Sequence, residues 1–240
     1  MRAVITKTLA AAALASACAV AQAAPTISWS GGTNPFNDTG NDFGSWFGGN
    51  STSVQILEQG TIRISDIAKV TIDYFGKEAG FNTNEFWWGT LGPYGTGTLV
   101  AATGLGTTNP VPNPIPASPG APLVTYVVPG VVNSGVLPFY FGITDPRSGV
   151  VPRIVENGHT DTGVNDDLGF WFGRSNAGLL TSGTTVWVLL DDGGGNLDND
   201  HDDMVMRISV EAVPEPSTWL MLIGGLGLLG FMAKRRSRMS

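Results

Sequence analysis

The chain has 240 residues, with 20 Asp and Glu against 13 Lys and Arg, and a formal net charge of −7. The negative charge lies away from the ends: from Ala24 to Ala233 there are 7 basic and 20 acidic residues, so the net charge there is 7 − 20 = −13. Nucleic acids and anionic membrane surfaces bind basic patches, so this composition argues against both as partners. Cations and neutral polysaccharides remain as partner classes.

The N-terminus has the three parts of a secretory signal peptide. Arg2 and Lys7 supply positive charge, and a short apolar run follows from Leu9 to Ala21. Ala21 and Ala23 then form a small-x-small cleavage site, which predicts cleavage after Ala23. We therefore expect residues 1–23 to be removed on export.

Cys18 is the only cysteine of the chain. Cleavage after Ala23 would leave a mature chain without thiols, which excludes disulfides, thiolate nucleophiles and cysteine-bound metals. The residues before Cys18 form a poor version of the box that precedes a lipid-modified cysteine. A lipoprotein is therefore the lesser alternative.

The central region, residues 24–212, has the periodicity of β-strands. Ile67 to Tyr74 and Met204 to Val210 alternate apolar and polar residues with a period of two, which is typical of half-buried antiparallel strands. Thr184 to Leu190 is a nearly continuous apolar and β-branched run, as expected for a strand covered on both faces. Seven further strands are predicted at Val54 to Gln59, Thr61 to Ser65, Glu85 to Gly89, Leu123 to Val128, Leu137 to Thr144, Val150 to Glu156 and Leu168 to Gly173.

Many short strands separated by Gly, Asn, Asp and Pro predict an all-β ectodomain, an antiparallel β-sandwich of jelly-roll type. Residues 109–122 contain six prolines in fourteen positions and cannot form a central strand. They are predicted to be an extended loop within one domain, although a boundary between two domains at this point is an alternative.

Two aromatic segments resemble each other: Asn41 to Gly48 and Asp166 to Gly173. Each is interpreted as a strand that begins with carboxylates and is crowded with rings, and Phe86 to Gly89 has a similar character. The rings are either a platform for stacking on sugars or part of the core. Core packing is favoured, because neighbouring rings on a strand point to opposite faces.

The segment from Asp191 to Asp203 carries six carboxylates in thirteen residues, and no Lys or Arg occurs from Ser175 to Met206. Nothing nearby in sequence offsets the repulsion, so the loop is either solvated or holds a cation. Ca²⁺ binds about six to eight oxygen ligands, and carboxylate and amide oxygens are of this kind. The predicted calcium ligands are Asp191, Asn196, Asp198, Asp200, Asp202 and Asp203.

This segment is not an EF-hand, because Asp203 replaces the required glycine and Ser209 the final glutamate. The segment contains an apolar strand, an acidic Gly-rich loop and then Met204 to Ile208. This pattern resembles the C-terminal part of DUF4114-type domains of bacterial surface proteins. That resemblance implies calcium binding by the aspartates. The alternative is a solvated acidic turn.

Catalytic signals are weak. The two histidines, His159 and His201, accompany no Gly-x-Ser-x-Gly or His-Glu-x-x-His motif. Glu85 with Glu78 or Glu58 is a conceivable glycosidase pair, but sequence spacing does not establish a distance between carboxylates. We therefore expect a protein that is not an enzyme.

The C-terminus has three parts within residues 213–240. Pro214, Glu215 and Pro216 precede the apolar stretch Trp219 to Ala233, and a basic tail follows at 234–238. A short transmembrane helix is predicted at about 218–233. Fifteen residues at about 1.5 Å each give roughly 22 Å, short of the ~30 Å hydrocarbon core. The basic residues predict a cytoplasmic C-terminus.

This arrangement resembles the PEP-CTERM sorting signal of Gram-negative bacteria. The resemblance implies that Pro214, Glu215 and Pro216 are recognised by an exosortase, a membrane protease that cleaves nearby and passes the protein to the surface. It also implies an inner-membrane tether before processing, then a cell-surface or matrix location linked to exopolysaccharide and biofilm. The expected role is structural or adhesive, the alternative being a secreted polysaccharide-active enzyme or carbohydrate-binding module. A plain membrane anchor is the lesser interpretation of the tail.

Overall fold

Antiparallel β-sheets make up most of the computed structural model of the chain. It describes residues 23–41, 43–49, 53–76, 83–89, 97–103, 119–144, 153–158, 166–192, 200–213 and 216–237. The strands of these residues are β1 Ile27–Ser30, β2 Thr33–Thr39, β3 Ser53–Glu58, β4 Thr61–Ile64, β5 Ala68–Gly76, β6 Thr83–Trp88, β7 Thr98–Thr103, β8 Val124–Val127, β9 Gly135–Val136, β10 Phe139–Thr144, β11 Arg153–Glu156, β12 Asp166–Trp171, β13 Arg174–Ser175, β14 Gly178–Leu179, β15 Ser182–Gly183, β16 Thr185–Asp192 and β17 Met204–Ala212.

The described strands form one seven-stranded sheet, two four-stranded sheets and a small hairpin. The seven-stranded sheet has the order β2-β3-β12-β16-β17-β5-β8. The first four-stranded sheet has the order β15-β1-β4-β9, the second has the order β11-β10-β6-β7, and β13 pairs with β14. An all-β fold is therefore confirmed.

The main core lies between these sheets. It contains Ile27 and Ile62 from the first four-stranded sheet, Phe141 from the second, and Ile72 and Val188 from the seven-stranded sheet, all fully buried. Burial of such side chains is the principal stabilising term, at about 1.5–3 kcal/mol each. Because all three larger sheets share one core, the packing is compatible with the predicted sandwich.

The predicted alternation of the two best strands is confirmed. Ala68, Val70, Ile72 and Tyr74 of β5 all lie in the main core, as do Met204, Met206, Ile208 and Val210 of β17. Successive side chains of a strand point to opposite faces, so the intervening residues lie on the other side of the sheet.

That other side of the seven-stranded sheet carries a second, aromatic core. Trp187 and Leu189 of β16 contribute to it, whereas Val186 and Val188 lie in the main core. β16 is therefore buried on both faces, as its continuous apolar run predicts. A short 3-10 helix, Gly44–Phe47, covers this second core, with the Phe47 and Trp187 rings 5.4 Å apart.

The prediction of a strand over Asn41 to Gly48 is wrong, because this segment forms the 3-10 helix and follows a turn after β2. Its rings pack downward onto the sheet instead of alternating between two faces. The preference for core packing of the rings is confirmed for Phe43, Phe86 and Phe170, which are fully buried. Trp87 differs, because it lies half-buried on the outer face of β6.

Two polar contacts, one of them buried, connect strands. Asn157, just after β11, accepts a hydrogen bond from the Ile62 N–H at 2.9 Å and donates to the carbonyls of Ile62 and Leu137, both at 2.8 Å. It therefore links the two four-stranded sheets. On the outer face of the large sheet, Arg207 donates to the Asp73 carboxylate at 2.7 and 3.1 Å.

The proline-rich segment predicted at 109–122 is described only from residue 119, and residues 119–122 contain no strand. Residues Pro25–Ala212 form one compact unit, and the C-terminal helix belongs to a separate unit. Every residue of both cores lies within Pro25–Ala212, so this part contains the elements needed to fold by itself.

The C-terminal helix, α1, runs over Pro216–Ser237 and covers the predicted apolar segment. In the described part of the chain no helix is long and apolar enough to cross a membrane. The prediction of a transmembrane helix at about 218–233 is thereby corrected: the helix forms, but its apolar part is too short for a full span.

Candidate functional site: a buried acidic cluster

The acidic segment joins two neighbouring strands of the seven-stranded sheet. Asp191 and Asp192 are the last two residues of β16, and Asp200 to Asp203 lead into β17. In the register of β12 and β16, Asp167 lies opposite Asp191 and Asp166 lies opposite Asp192. The described aspartates of the acidic segment therefore lie at one end of these two strands.

The described carboxylates of the acidic segment are buried. Asp191, Asp192, Asp200, Asp202 and Asp203 each expose 9% or less of their surface. A buried carboxylate must be neutralised by a proton, a positive side chain or a metal ion, because desolvation strongly disfavours an isolated charge. A solvated acidic turn is therefore wrong for these five residues.

Hydrogen bonds connect the cluster to the second four-stranded sheet. The Asp203 Oδ2 atom accepts from the backbone N–H of Asp192 at 2.7 Å. Asn84 of β6 donates to Asp192 Oδ2 at 2.9 Å and to the Asp203 carbonyl at 3.2 Å. Arg153 of β11 donates to the Asp192 carbonyl at 2.8 Å. The cluster therefore lies where the two sheets meet.

Burial, together with the negative charges of Asp192, Asp200 and Asp191, raises the pKa of Asp203 from 3.8 to about 9. The hydrogen bond from the Asp192 N–H acts in the opposite direction. Such mutual effects require these four carboxyl groups to lie close together. In the absence of a cation, Asp203 is consequently protonated at neutral pH.

His201 occupies a separate position beside the cluster. Its backbone has a left-handed conformation, with φ of 47°, and its Nδ1 atom lies 3.9 Å from Asp38 Oδ2, both side chains being fully buried. Gly169 of β12 leaves room for the ring, because a Cβ there would meet His201 Cδ2 at 3.0 Å and Ile56 Cδ1. His201 therefore faces β2 and β12 in the fold.

Of the predicted calcium ligands, Asp191, Asp200 and Asp203 are brought together, and Asp202 is buried next to them in sequence. Asn196 and Asp198 lie outside the described residues. Among the residues that are described, no group of three acidic, histidine or cysteine side chains is arranged to hold a metal ion. The oxygen donors suit calcium, and calcium binding stays a prediction that involves the loop residues as well.

Sequence reasoning did not assign Asp192, Asn84, Arg153 or Asp38 to the site. Asp192 could have been found from strand parity, because it shares the inward face of β16 with Val188 and Leu190. Asn84 and Arg153 are distant in sequence, at separations of 108 and 39 residues from Asp192, so only the packing of the sheets reveals them.

Other predicted positions fall at the edges of the described chain. Pro216 begins α1, whereas Pro214 and Glu215 lie outside the described residues. Ala23 of the predicted cleavage site is described and exposed, and Ala21 is not described.

Glu58 and Glu85 lie in different sheets, on β3 and β6. Glu78 and His159 are outside the described residues.

The comparison with known families concerns the tail. Residues 212–236 match the family described as the PEP-CTERM protein-sorting motif. The tail is a PEP-CTERM sorting motif. The PEP-CTERM motif indicates an exported protein that is tethered to the membrane during sorting and processed by an exosortase. No curated protein and no solved structure matches the chain.

Proposed function

We propose that Pro25–Ala212 is a calcium-stabilised β-sandwich with a structural or adhesive role at the cell surface or in the extracellular matrix, linked to exopolysaccharide. The PEP-CTERM motif supports delivery of this unit out of the cell. The observation that carries the proposal is the burial of five carboxylates where β16 and β17 meet the second four-stranded sheet.

A calcium ion would remove the principal electrostatic cost of this arrangement. Without it, Asp203 holds a proton at neutral pH, as its raised pKa indicates. Calcium is bound by the oxygens of carboxylates and carbonyls, and its charge lowers the pKa of the acids that bind it. We expect Asp191, Asp192, Asp200, Asp202 and Asp203 to hold the ion together with Asn196 and Asp198.

The bonds around the cluster give calcium a structural effect on the whole unit. Asn84 and Arg153 belong to the second four-stranded sheet and both bond to Asp192. An ion that fixes Asp192 and Asp203 would thereby fix the position of that sheet against the large one. Outer partners of this kind orient the ligands of a metal site.

The calcium test is a pair of melting curves of the ectodomain, residues 24–212, with calcium chloride and with chelator. We expect calcium to raise the melting midpoint, and Asp200→Asn or Asp202→Asn to reduce that rise. Glu211→Gln, at the exposed end of β17, removes a carboxylate outside the cluster and is the matched control. Equal midpoints with calcium and with chelator would refute calcium stabilisation.

The sorting test is deletion of residues 213–240 in the native host. Loss of the PEP-CTERM motif should release the protein into the medium, because no exosortase substrate remains. The outcome is read by blotting the medium and the cell envelope separately. Retention of the truncated chain at the envelope would contradict the assigned role of the tail.

A second candidate function, carbohydrate binding, rests on the outer face of β6 and β10. The half-buried Trp87 ring is parallel within 5° to the buried Tyr140 ring, with centroids 6.0 Å apart. Trp87 Nε1 donates to Glu85 Oε2 at 2.9 Å, which fixes an acceptor beside the indole. Affinity electrophoresis in gels containing a neutral glucan should show retardation that Trp87→Ala abolishes. Equal mobility of both proteins with and without glucan would exclude this function.

A further inference from the structure

The strand register places two rows of side chains on the outer face of the second four-stranded sheet. The first row crosses the sheet in the order Glu156, Tyr140, Trp87 and Leu99. The second row has the order Ile154, Gly142, Glu85 and Ala102. The strand neighbours of these residues, such as Phe86 and Phe141, lie in the main core, because side chains alternate between the two faces of a strand. We name the surface formed by the two rows the β6–β10 face.

Glu85 and Trp87 lie over the neighbouring strand β10. A Cβ atom at Gly142 would lie 3.6 Å from Glu85 Oε2 and 3.7 Å from Trp87 Nε1. The hydrogen bond between these two atoms, at 2.9 Å, holds the carboxylate beside the indole. Because Gly142 has no side chain, the carboxylate has room above β10, the strand between β6 and β11.

Glu156 of β11 brings a second carboxylate to the same place. It lies opposite Tyr140 and therefore diagonal to Gly142, and diagonal neighbours on one face of an antiparallel pair are about 7–8 Å apart. Arg153 of the same strand lies on the opposite face, where it bonds to the Asp192 carbonyl. The described residues of the β6–β10 face include two carboxylates and no basic side chain.

The β6–β10 face is accessible to a ligand. Leu99 and Ile154, at its two sides, expose 43% and 42% of their surfaces, and Glu85, Trp87 and Glu156 are half-buried. A half-buried carboxylate attracts a cation more strongly than one surrounded by water, because the effective dielectric constant is lower. The face of an indole also attracts cations. The chemistry therefore suits a ligand that combines positive charge with an apolar ring surface.

We propose that the β6–β10 face binds a polysaccharide of amino sugars, with ammonium groups at Glu85 and Glu156 and the C–H face of a sugar ring on Trp87. The proposal rests on the carbohydrate-binding function described above and names its ligand class. An amino sugar carries an ammonium group and an apolar C–H face on one ring, which matches a carboxylate hydrogen-bonded to an indole. Residues 24–233 carry a net charge of 7 − 20 = −13, which attracts a polycation and gives no such advantage to a neutral glycan.

Calorimetry of the ectodomain with two β-1,4-linked oligomers of equal length tests the proposal, one of glucosamine and one of N-acetylglucosamine. We expect the glucosamine oligomer to bind at least about tenfold more tightly, because only it makes charge-assisted hydrogen bonds. This preference should disappear in about 1 M salt, where the Debye length is about 3 Å.

The variant Glu85→Gln should weaken binding of the glucosamine oligomer by at least about tenfold. Its amide oxygen still accepts the hydrogen bond from Trp87 Nε1, so the indole keeps its position. Glu156→Gln should act in the same direction. Glu211→Gln, on the exposed end of β17, changes the net charge equally and is the matched control. Circular dichroism verifies that all variants are folded.

A preference for the glucosamine oligomer that Glu85→Gln removes and Glu211→Gln preserves supports the proposal. Equal affinity for both oligomers overturns the amino-sugar assignment and leaves carbohydrate binding in place, whereas binding of neither oligomer overturns both. Equal losses in Glu85→Gln and Glu211→Gln also overturn the assignment, because the attraction would then come from the overall charge. A lysine peptide that binds as tightly as the glucosamine oligomer overturns it in favour of a protein partner.

Discussion

Replacing Asp203 by Asn should stabilise the cation-free protein. The pKa of Asp203 is 3.8 as a free group and about 9 in the folded chain. The folded state therefore holds a proton that the unfolded state releases above about pH 4, and stability falls as pH rises from about 4 to about 9. Asparagine is neutral throughout and its Oδ1 atom can still accept the bond from the Asp192 N–H.

The magnitude follows from the two pKa values. Each unit of pKa difference is worth about 1.4 kcal/mol. A pH of 7 is about three units above 3.8, the pKa of Asp203 in the unfolded chain. The Asn variant therefore gains at most about 4 kcal/mol in the free energy of unfolding.

The assay is urea denaturation followed by tryptophan fluorescence, in metal-free buffer with EDTA, from pH 5 to pH 8. The stability gap between Asp203→Asn and wild type should widen with pH, by up to about 1.4 kcal/mol per unit. Glu211→Gln is the control for a carboxylate on the exposed end of β17, with an expected change below about 1 kcal/mol. A gap that is constant with pH, or a destabilised Asn variant, would refute the electrostatic account of the cluster.

Three further substitutions test the packing of the sheets, each by urea denaturation. Asn157→Ala should destabilise by about 3 kcal/mol, because it removes three hydrogen bonds and leaves buried backbone groups unpaired; a loss below about 1 kcal/mol would contradict its linking role. Arg207→Ala should cost about 2 kcal/mol, because the nearly buried Asp73 loses its ion pair, and adding Asp73→Asn should recover part of this loss. Gly169→Ala should cost about 1–3 kcal/mol through the clash with His201 and Ile56, whereas an unchanged midpoint would show that the ring moves freely.

Local periodicity was sufficient to predict the strands that build the centre of the large sheet. β5 and β17 each bury one face in the main core, so their sequences alternate with a period of two. β16 is covered on both faces, and its sequence is accordingly apolar throughout. In these strands the order of apolar and polar residues therefore predicts which side chains are buried.

Two strands at the edges of sheets were not predicted. β2 has the polar sequence Thr33–Thr39 and shows no apolar alternation, yet it pairs with β3 at the edge of the large sheet. β7, Thr98–Thr103, is likewise an edge strand held by β6. Edge strands need few apolar residues, because one partner strand and backbone hydrogen bonds hold them in place.

The acidic cluster was predicted in composition but not in environment. The density of aspartates between two good strands indicated a cation site. Their burial could not be read from the sequence, because it results from the packing of the β16–β17 hairpin against β6 and β11. For the same reason Asn84 and Arg153, which approach Asp192 from another sheet, carried no recognisable signal.

A calcium titration by calorimetry at neutral pH tests the central claim most directly. The ectodomain should bind calcium with release of protons, because the ion displaces the proton held on Asp203. The heat in buffers of different ionisation enthalpy measures that release, and Asp203→Asn should remove most of it. The absence of any calcium-dependent heat in the wild type would contradict a calcium site in this cluster.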